Sequence, residues 1–111
     1  MRLPLQITLR DIQHSDAIEQ AIREKAEKLN QFNTNIMACR VTVEMPAKHK
    51  NHGKEFVVAI DLTVPGNELV VNHERNEDLY VALRDAFNAA RRQLEELARK
   101  QRELHRQPAA A

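Results

Sequence analysis

The sequence predicts an α+β protein. The expected form is a two-layer β-α-β-β-β-α sandwich, a four-stranded sheet with two helices on one face. Three observations carry this. Four segments alternate apolar and polar residues with a period of two, as strands do when one face is wet. Two longer segments repeat apolar residues at helical spacing, each with one apolar stripe. A sheet with one dry face and two one-striped helices bury their apolar surfaces together by stacking as two layers. The 111 residues suit a single domain, expected over 1–106, with 107–111 as a disordered tail.

Leu3, Leu5, Ile7 and Leu9 alternate with Pro4, Gln6 and Thr8, so a first strand is expected there. Pro4 cannot donate to a ladder and so favours an open edge. Ser15 is a good N-cap for a helix over 16–32, where Ile18, Ala21, Ile22, Ala26, Leu29 and Phe32 share a face. Asn33 to Asn35 suit a turn. A second strand is expected over 38–46, with Cys39, Val41, Val43 and Met45 on one side. A third follows over 54–64, with Phe56, Val58, Ile60, Leu62 and Val64 inward. Pro65-Gly66-Asn67 is a turn: proline presets φ and glycine tolerates φ > 0. A shorter fourth strand over 69–74 turns Leu69 and Val71 inward. From Asp78 to Arg106 runs one helix without proline or glycine, its apolar stripe made by Leu79, Tyr80, Leu83, Ala86, Phe87, Ala90, Leu94, Leu97 and Ala98. The expected core is Leu5, Ile7, Ile18, Ile22, Leu29, Val41, Val43, Val58, Ile60, Leu62, Leu83, Phe87 and Leu94. Such side chains contribute about 1.5–3 kcal/mol each when buried, before entropy.

Several functions are disfavoured. No apolar run approaches the roughly 18–20 residues that span a bilayer, and the N-terminus lacks a signal-like apolar stretch; a cytoplasmic protein is expected. The single cysteine, Cys39, leaves no disulfide framework and no cysteine-based zinc site. It falls on the inward side of a strand, where a thiol is inert. His49 and His52 form H-x-x-H in a lysine-rich loop, but no carboxylate or thiol accompanies them between Lys48 and Lys54, so a solvated loop is the expectation. The two glycines, Gly53 and Gly66, make no phosphate loop. No catalytic group and no cofactor are expected. Aromatic residues are 4% of the chain, too few for a multi-base stacking platform.

The basic stripe of the last helix is sharper. Between 84 and 106 stand seven basic residues, Arg84, Arg91, Arg92, Arg99, Lys100, Arg102 and Arg106, against four acids, in a chain whose formal net charge is only +1. Arginine suits bidentate phosphate contact. Lys25 and Lys28 stand at the margin of the first helix's apolar stripe and would border a groove if the helices lie side by side. The same residues also suit a plain solvated face, with i,i+4 pairs such as Glu95–Arg99 supporting the helix and Lys25 lying along the core edge.

Two segments, ITLRDIQHSDAIEQAIREKAEKLNQF (7–32) and EDLYVALRDAFNAARRQL (77–94), resemble the ribosome hibernation promoting factors and ribosome-associated translation inhibitors. Lys25, Lys28 and Leu29 match the family's Lys-x-x-Lys-Leu ending. Asp78, Tyr80 and Ala82 match its Asp-x-Tyr-x-Ala entry to the last helix, and Arg92, Gln93 and Leu94 its Arg-Gln-Leu. The element order agrees. The resemblance implies a protein that binds the small ribosomal subunit in the channel for messenger RNA and transfer RNA, with helix cations on ribosomal RNA phosphates, silencing translation and preserving idle ribosomes. It carries over Lys25, Lys28 and Arg92; Arg84, Arg91 and Arg99 come from the helical wheel. Asp78 and Tyr80 are expected to serve structure, Tyr80 at the core edge. A ribosome-pairing cofactor protein is a further expected partner; a membrane or a small-molecule substrate is not.

Some positions depart from the family pattern. Ala89 stands where a lysine is usual, and His14 replaces an apolar residue before the helix cap, which puts a hydrophobic staple in doubt. With no extra C-terminal domain and no acidic tail, the short hibernation factor is the expected type. The alternative is a protein-interaction module, a homodimer through the sheet edge or wet face, where Val57, Ala59 and Val70 point outward.

Overall fold

The computed structural model describes residues 4–32, 35–46 and 55–106. Leu3, Asn33 and Thr34 of the expected turn, the histidine–lysine loop with Lys48, His49, Lys50, His52 and Lys54, and the tail 107–111 lie outside the described residues. The elements are β1 (Leu5–Arg10), α1 (Asp16–Phe32), β2 (Ala38–Glu44), β3 (Phe56–Val64), β4 (Asn67–Asn76) and α2 (Leu79–Arg106). This is the expected order, in a two-layer α+β fold.

The four strands form one sheet in the order β1-β2-β3-β4. β1 and β2 are parallel, so α1 is their crossover. β2–β3 and β3–β4 are antiparallel. Val64 pairs with Asn67 across the Pro65-Gly66 turn. Gly66 takes φ 76° there, which a side chain would resist. The inward residues line up in rows. Leu5, Cys39, Leu62 and Leu69 make one, and Ile7, Val41, Ile60 and Val71 the next. Both helices cover this face, α1 over β1 and α2 over β3 and β4, and they touch each other.

The core holds Ile22, Leu29, Val41, Val43, Val58, Ile60, Leu62, Leu83, Phe87 and Leu94 as expected, with Ile36, Cys39, Val64, Val71 and Leu79 added. Leu5, Ile7 and Ile18 are only partly buried against it, because β1 is an edge strand covered by α1 alone. β4 is longer than the alternation suggested. A bulge between the Val58–Glu74 and Ile60–Val71 pairs places one extra β4 residue in the ladder, which breaks the period of two. The outward patch also needs correction: Val70 is 44% exposed, but Val57 only 9%. It lies on a central strand, with Glu44 of β2 and Arg75 of β4 in register on either side.

Candidate nucleic-acid interface

Local chemistry fixes where each helix begins. The Ile18 N–H donates to Ser15 Oγ at 3.4 Å and the Glu19 N–H to the Ser15 carbonyl at 3.1 Å, so Ser15 is the N-cap of α1. His14 and Glu19 occupy the two positions of a hydrophobic staple. They form a polar one instead, a ring nitrogen 3.1 Å from the carboxylate. At α2, Asp78 Oδ1 accepts the Tyr80 N–H at 2.9 Å and the Asp78 carbonyl accepts the Ala82 N–H at 3.0 Å. Asn76 Oδ1 in turn accepts the Asp78 N–H at 2.8 Å. Asp78 therefore serves structure, as the sequence suggests.

The helices lie side by side and enclose an open groove lined by Ala21, Glu24, Lys25, Lys28, Tyr80, Val81 and Arg84. The two lysines and one of the arginines singled out from sequence thus meet across two helices. Lys25 is half-buried and Lys28 exposed. Tyr80 is not a core-edge filler: it is 49% exposed and faces this groove. Further along, the guanidinium of Arg91 stands over the ring of Phe32, 4.7 Å from its centroid, a cation–π contact tying the end of α1 to α2. Arg92 and Arg99 are exposed on α2, on the side the helical phase turns away from the sheet. From Arg99 to Leu104 every side chain is exposed, so the last turns of α2 overhang the sheet. The side chain of Arg106 lies outside the described residues.

The six cations divide by partner. Arg84 bridges Asp85 at 3.2 Å, Arg91 bridges Glu95 at 3.2 Å, and Arg99 bridges Glu96 and Glu103. The pair anticipated between Glu95 and Arg99 does not form. Glu95 is four residues from both arginines and takes Arg91, while Arg99 has acids on either side. The hydrogen bond to Glu96, then its charge, raises the Arg99 pKa above its ordinary value. Lys25, Lys28 and Arg92 have no acidic partner among the described residues. These three are the ones the resemblance supplied.

The opposite face differs. Arg40 on β2 reaches Asp61 on β3 at 2.9 Å and Glu68 on β4 at 3.0 Å, and the hydrogen bond to Asp61 raises the Arg40 pKa. The Arg-Gln-Leu run divides its labour: Arg92 faces water, Gln93 Nε2 donates to the Val70 carbonyl of edge strand β4 at 3.2 Å, and Leu94 enters the core. The sequence resemblance marks Gln93 but not its partner, which is 23 residues away. Cys39 is 1% exposed, and burial, then the Asp61 charge, push its pKa up to about 12, which matches the inert thiol expected. Among the described residues no three metal-ligating side chains cluster and no helix is long and apolar enough to cross a membrane.

Comparison with known proteins places this architecture. The structure of a ribosomal subunit interface protein from Coxiella burnetii superposes with a TM-score of 0.74 at 14% identity, covering 86% of this chain and 98% of that one. The Protein Y N-terminal domain of Thermus thermophilus superposes with a TM-score of 0.68 at 21% identity, covering 87% and 99%. At these identities the likeness is one of fold. No curated protein sequence matches the chain significantly. The family described as Sigma 54 modulation protein / S30EA ribosomal protein matches residues 5–102, from the first residue of β1 into the overhanging turns of α2 and across both segments that carry the sequence resemblance, and the chain belongs to that family.

Proposed function

We propose that this protein is a ribosome hibernation factor that binds the small ribosomal subunit in the channel for messenger RNA and transfer RNA. Its helix layer contacts ribosomal RNA phosphates, silences translation and preserves idle ribosomes in the cytoplasm. The observation that carries the reading is that Lys25, Lys28 and Arg92, with Lys100 and Arg102 further along α2, are left without acidic partners on the helix layer among the described residues, in a family named for a ribosomal protein. An unpaired surface cation meets a phosphate without first breaking an internal pair. Arg84, Arg91 and Arg99 add to this surface by exchange, because exposed ion pairs are weak and exchange partners readily. No group transfer is needed for this role: a folded domain seated in the channel excludes the nucleic acids that would pass there.

The test is sedimentation of the protein with small subunits, large subunits and whole ribosomes at low and high salt. Saturable binding to small subunits and whole ribosomes is expected. Each neutralised phosphate releases counterion, so six to ten contacts cost about 10³–10⁵ in affinity between roughly 50 and 200 mM salt. Binding to large subunits alone, or binding indifferent to salt, contradicts the proposal.

A further inference from the structure

We infer that the seam between α1 and α2 is a track for single-stranded RNA, in which the exposed rings of Phe32 and Tyr80 stack on unpaired bases while the cations beside them hold phosphates. This rests on the reading of the helix layer as an RNA surface and specifies the form of RNA it takes. The chain has four aromatic side chains. Phe87 is buried in the core and Phe56 packs against it. The other two are displayed: Phe32 is 68% exposed and Tyr80 49%. Both displayed rings lie on the one seam that also carries the unpaired lysines.

The spacing makes a row. Lys25, Lys28 and Phe32 stand at i, i+3 and i+7 on α1, and Tyr80, Arg84 and Arg91 at i, i+4 and i+11 on α2, so each set shares one helix face. Across the seam Tyr80 meets Lys25 and Lys28 in the groove, and Arg91 meets Phe32. From Lys25 to Phe32 is about 10 Å along the helix, so ring, cations and second ring follow one another. The Phe32 platform is ordered in advance. Glu95 holds the Arg91 guanidinium at 3.2 Å, the guanidinium covers one side of the ring, and at 68% exposure the ring still offers surface to a base. Cations on the backbone and rings under the bases are the two components of single-strand recognition. A duplex cannot use the rings, since its bases stack on one another and the deep major groove of A-form RNA shuts side chains out. Two rings are fewer than a multi-base platform needs, in keeping with the low aromatic content, and they suit two isolated contacts.

The test uses the full chain, a dye-labelled oligouridylate of about ten nucleotides, and the same strand annealed to oligoadenylate. Binding is read by anisotropy of the dye. Stacking is read separately by the protein's own fluorescence, because the chain has one tyrosine, Tyr80, and no tryptophan. The single strand is expected to bind more tightly than the duplex and to quench Tyr80. Phe32→Leu, which keeps an apolar side chain at an exposed position, should weaken single-strand binding about five- to a hundredfold and leave duplex binding alone; Phe32→Trp should restore it. Equal affinity for strand and duplex, with Tyr80 unquenched and Phe32→Leu without effect, overturns the inference and leaves a surface that reads phosphate alone. Failure of the wild-type protein to sediment with small subunits is the separate result that removes the proposed function itself.

Discussion

The protein shows two faces to solvent, and they treat positive charge differently. On the sheet face Arg40 is closed between Asp61 and Glu68, drawn from two other strands. On the helix face Lys25, Lys28 and Arg92 form no ion pair among the described residues, although Glu24 lines the same groove as the two lysines, and Arg84, Arg91 and Arg99 are paired only along their own helix. Near-neutral net charge is therefore compatible with a binding surface for a polyanion. Arg40 is neutralised by two acids on the sheet face while several cations of the helix face stay available, and local distribution sets the field that a ligand meets.

The difference can be broken most sharply by reversing charge on the helix face. Lys28→Glu together with Arg92→Glu should weaken sedimentation with small subunits by roughly a hundredfold or more, on about 1.5–3 kcal/mol for each charge-assisted bond lost. The thermal midpoint should stay near wild type, since neither side chain is buried. Retained binding would falsify the assignment of these residues. Leu83→Ala supplies the converse control. Leu83 is fully buried between α2 and the sheet, and its truncation should cost about 2–5 kcal/mol in chemical denaturation while the cations stay in place.

Two smaller effects separate the faces further. Glu96→Gln removes a partner of Arg99 and should tighten binding roughly two- to fivefold at low salt, with a steeper salt dependence. Arg40→Gln on the sheet face should leave subunit binding unchanged, and a loss comparable to that of the helix-face double variant would move the site to the sheet. A last consequence concerns pH. The Cys39 pKa is raised from the ordinary thiol value of 9.0 to about 12, so the unfolded chain releases that proton first. The thiol's contribution to stability is complete below pH 9 and is lost as pH climbs toward about 12. Denaturation midpoints across that range, compared with Cys39→Ala, measure it.

Much of the fold was legible because it follows from period and punctuation. Alternation in β2 and β3 placed Val41, Val43, Val58, Ile60 and Leu62 inward, and Ser15 marked the start of α1. The misplaced features are those where a neighbouring element intervenes. The β4 bulge shifts register without any sequence mark, and edge position leaves Leu5 and Ile7 half-covered. Val57, outward by parity, is shielded by the strands on either side. At the candidate site the types of residue were readable, and their grouping was not. That Tyr80 lies beside Lys25 and Lys28, that Arg91 covers Phe32, and that Glu95 takes Arg91 rather than Arg99 depend on how two helices dock side by side.

Element order, the two-layer class, the buried cysteine and the concentration of arginine on one helix follow from residue order alone, because local periodicity and residue chemistry are properties of neighbours along the chain. Which cations stay unpaired and which two aromatic rings remain in water is settled by folding, because pairing and exposure belong to side chains that are far apart in sequence and adjacent only once the helices pack.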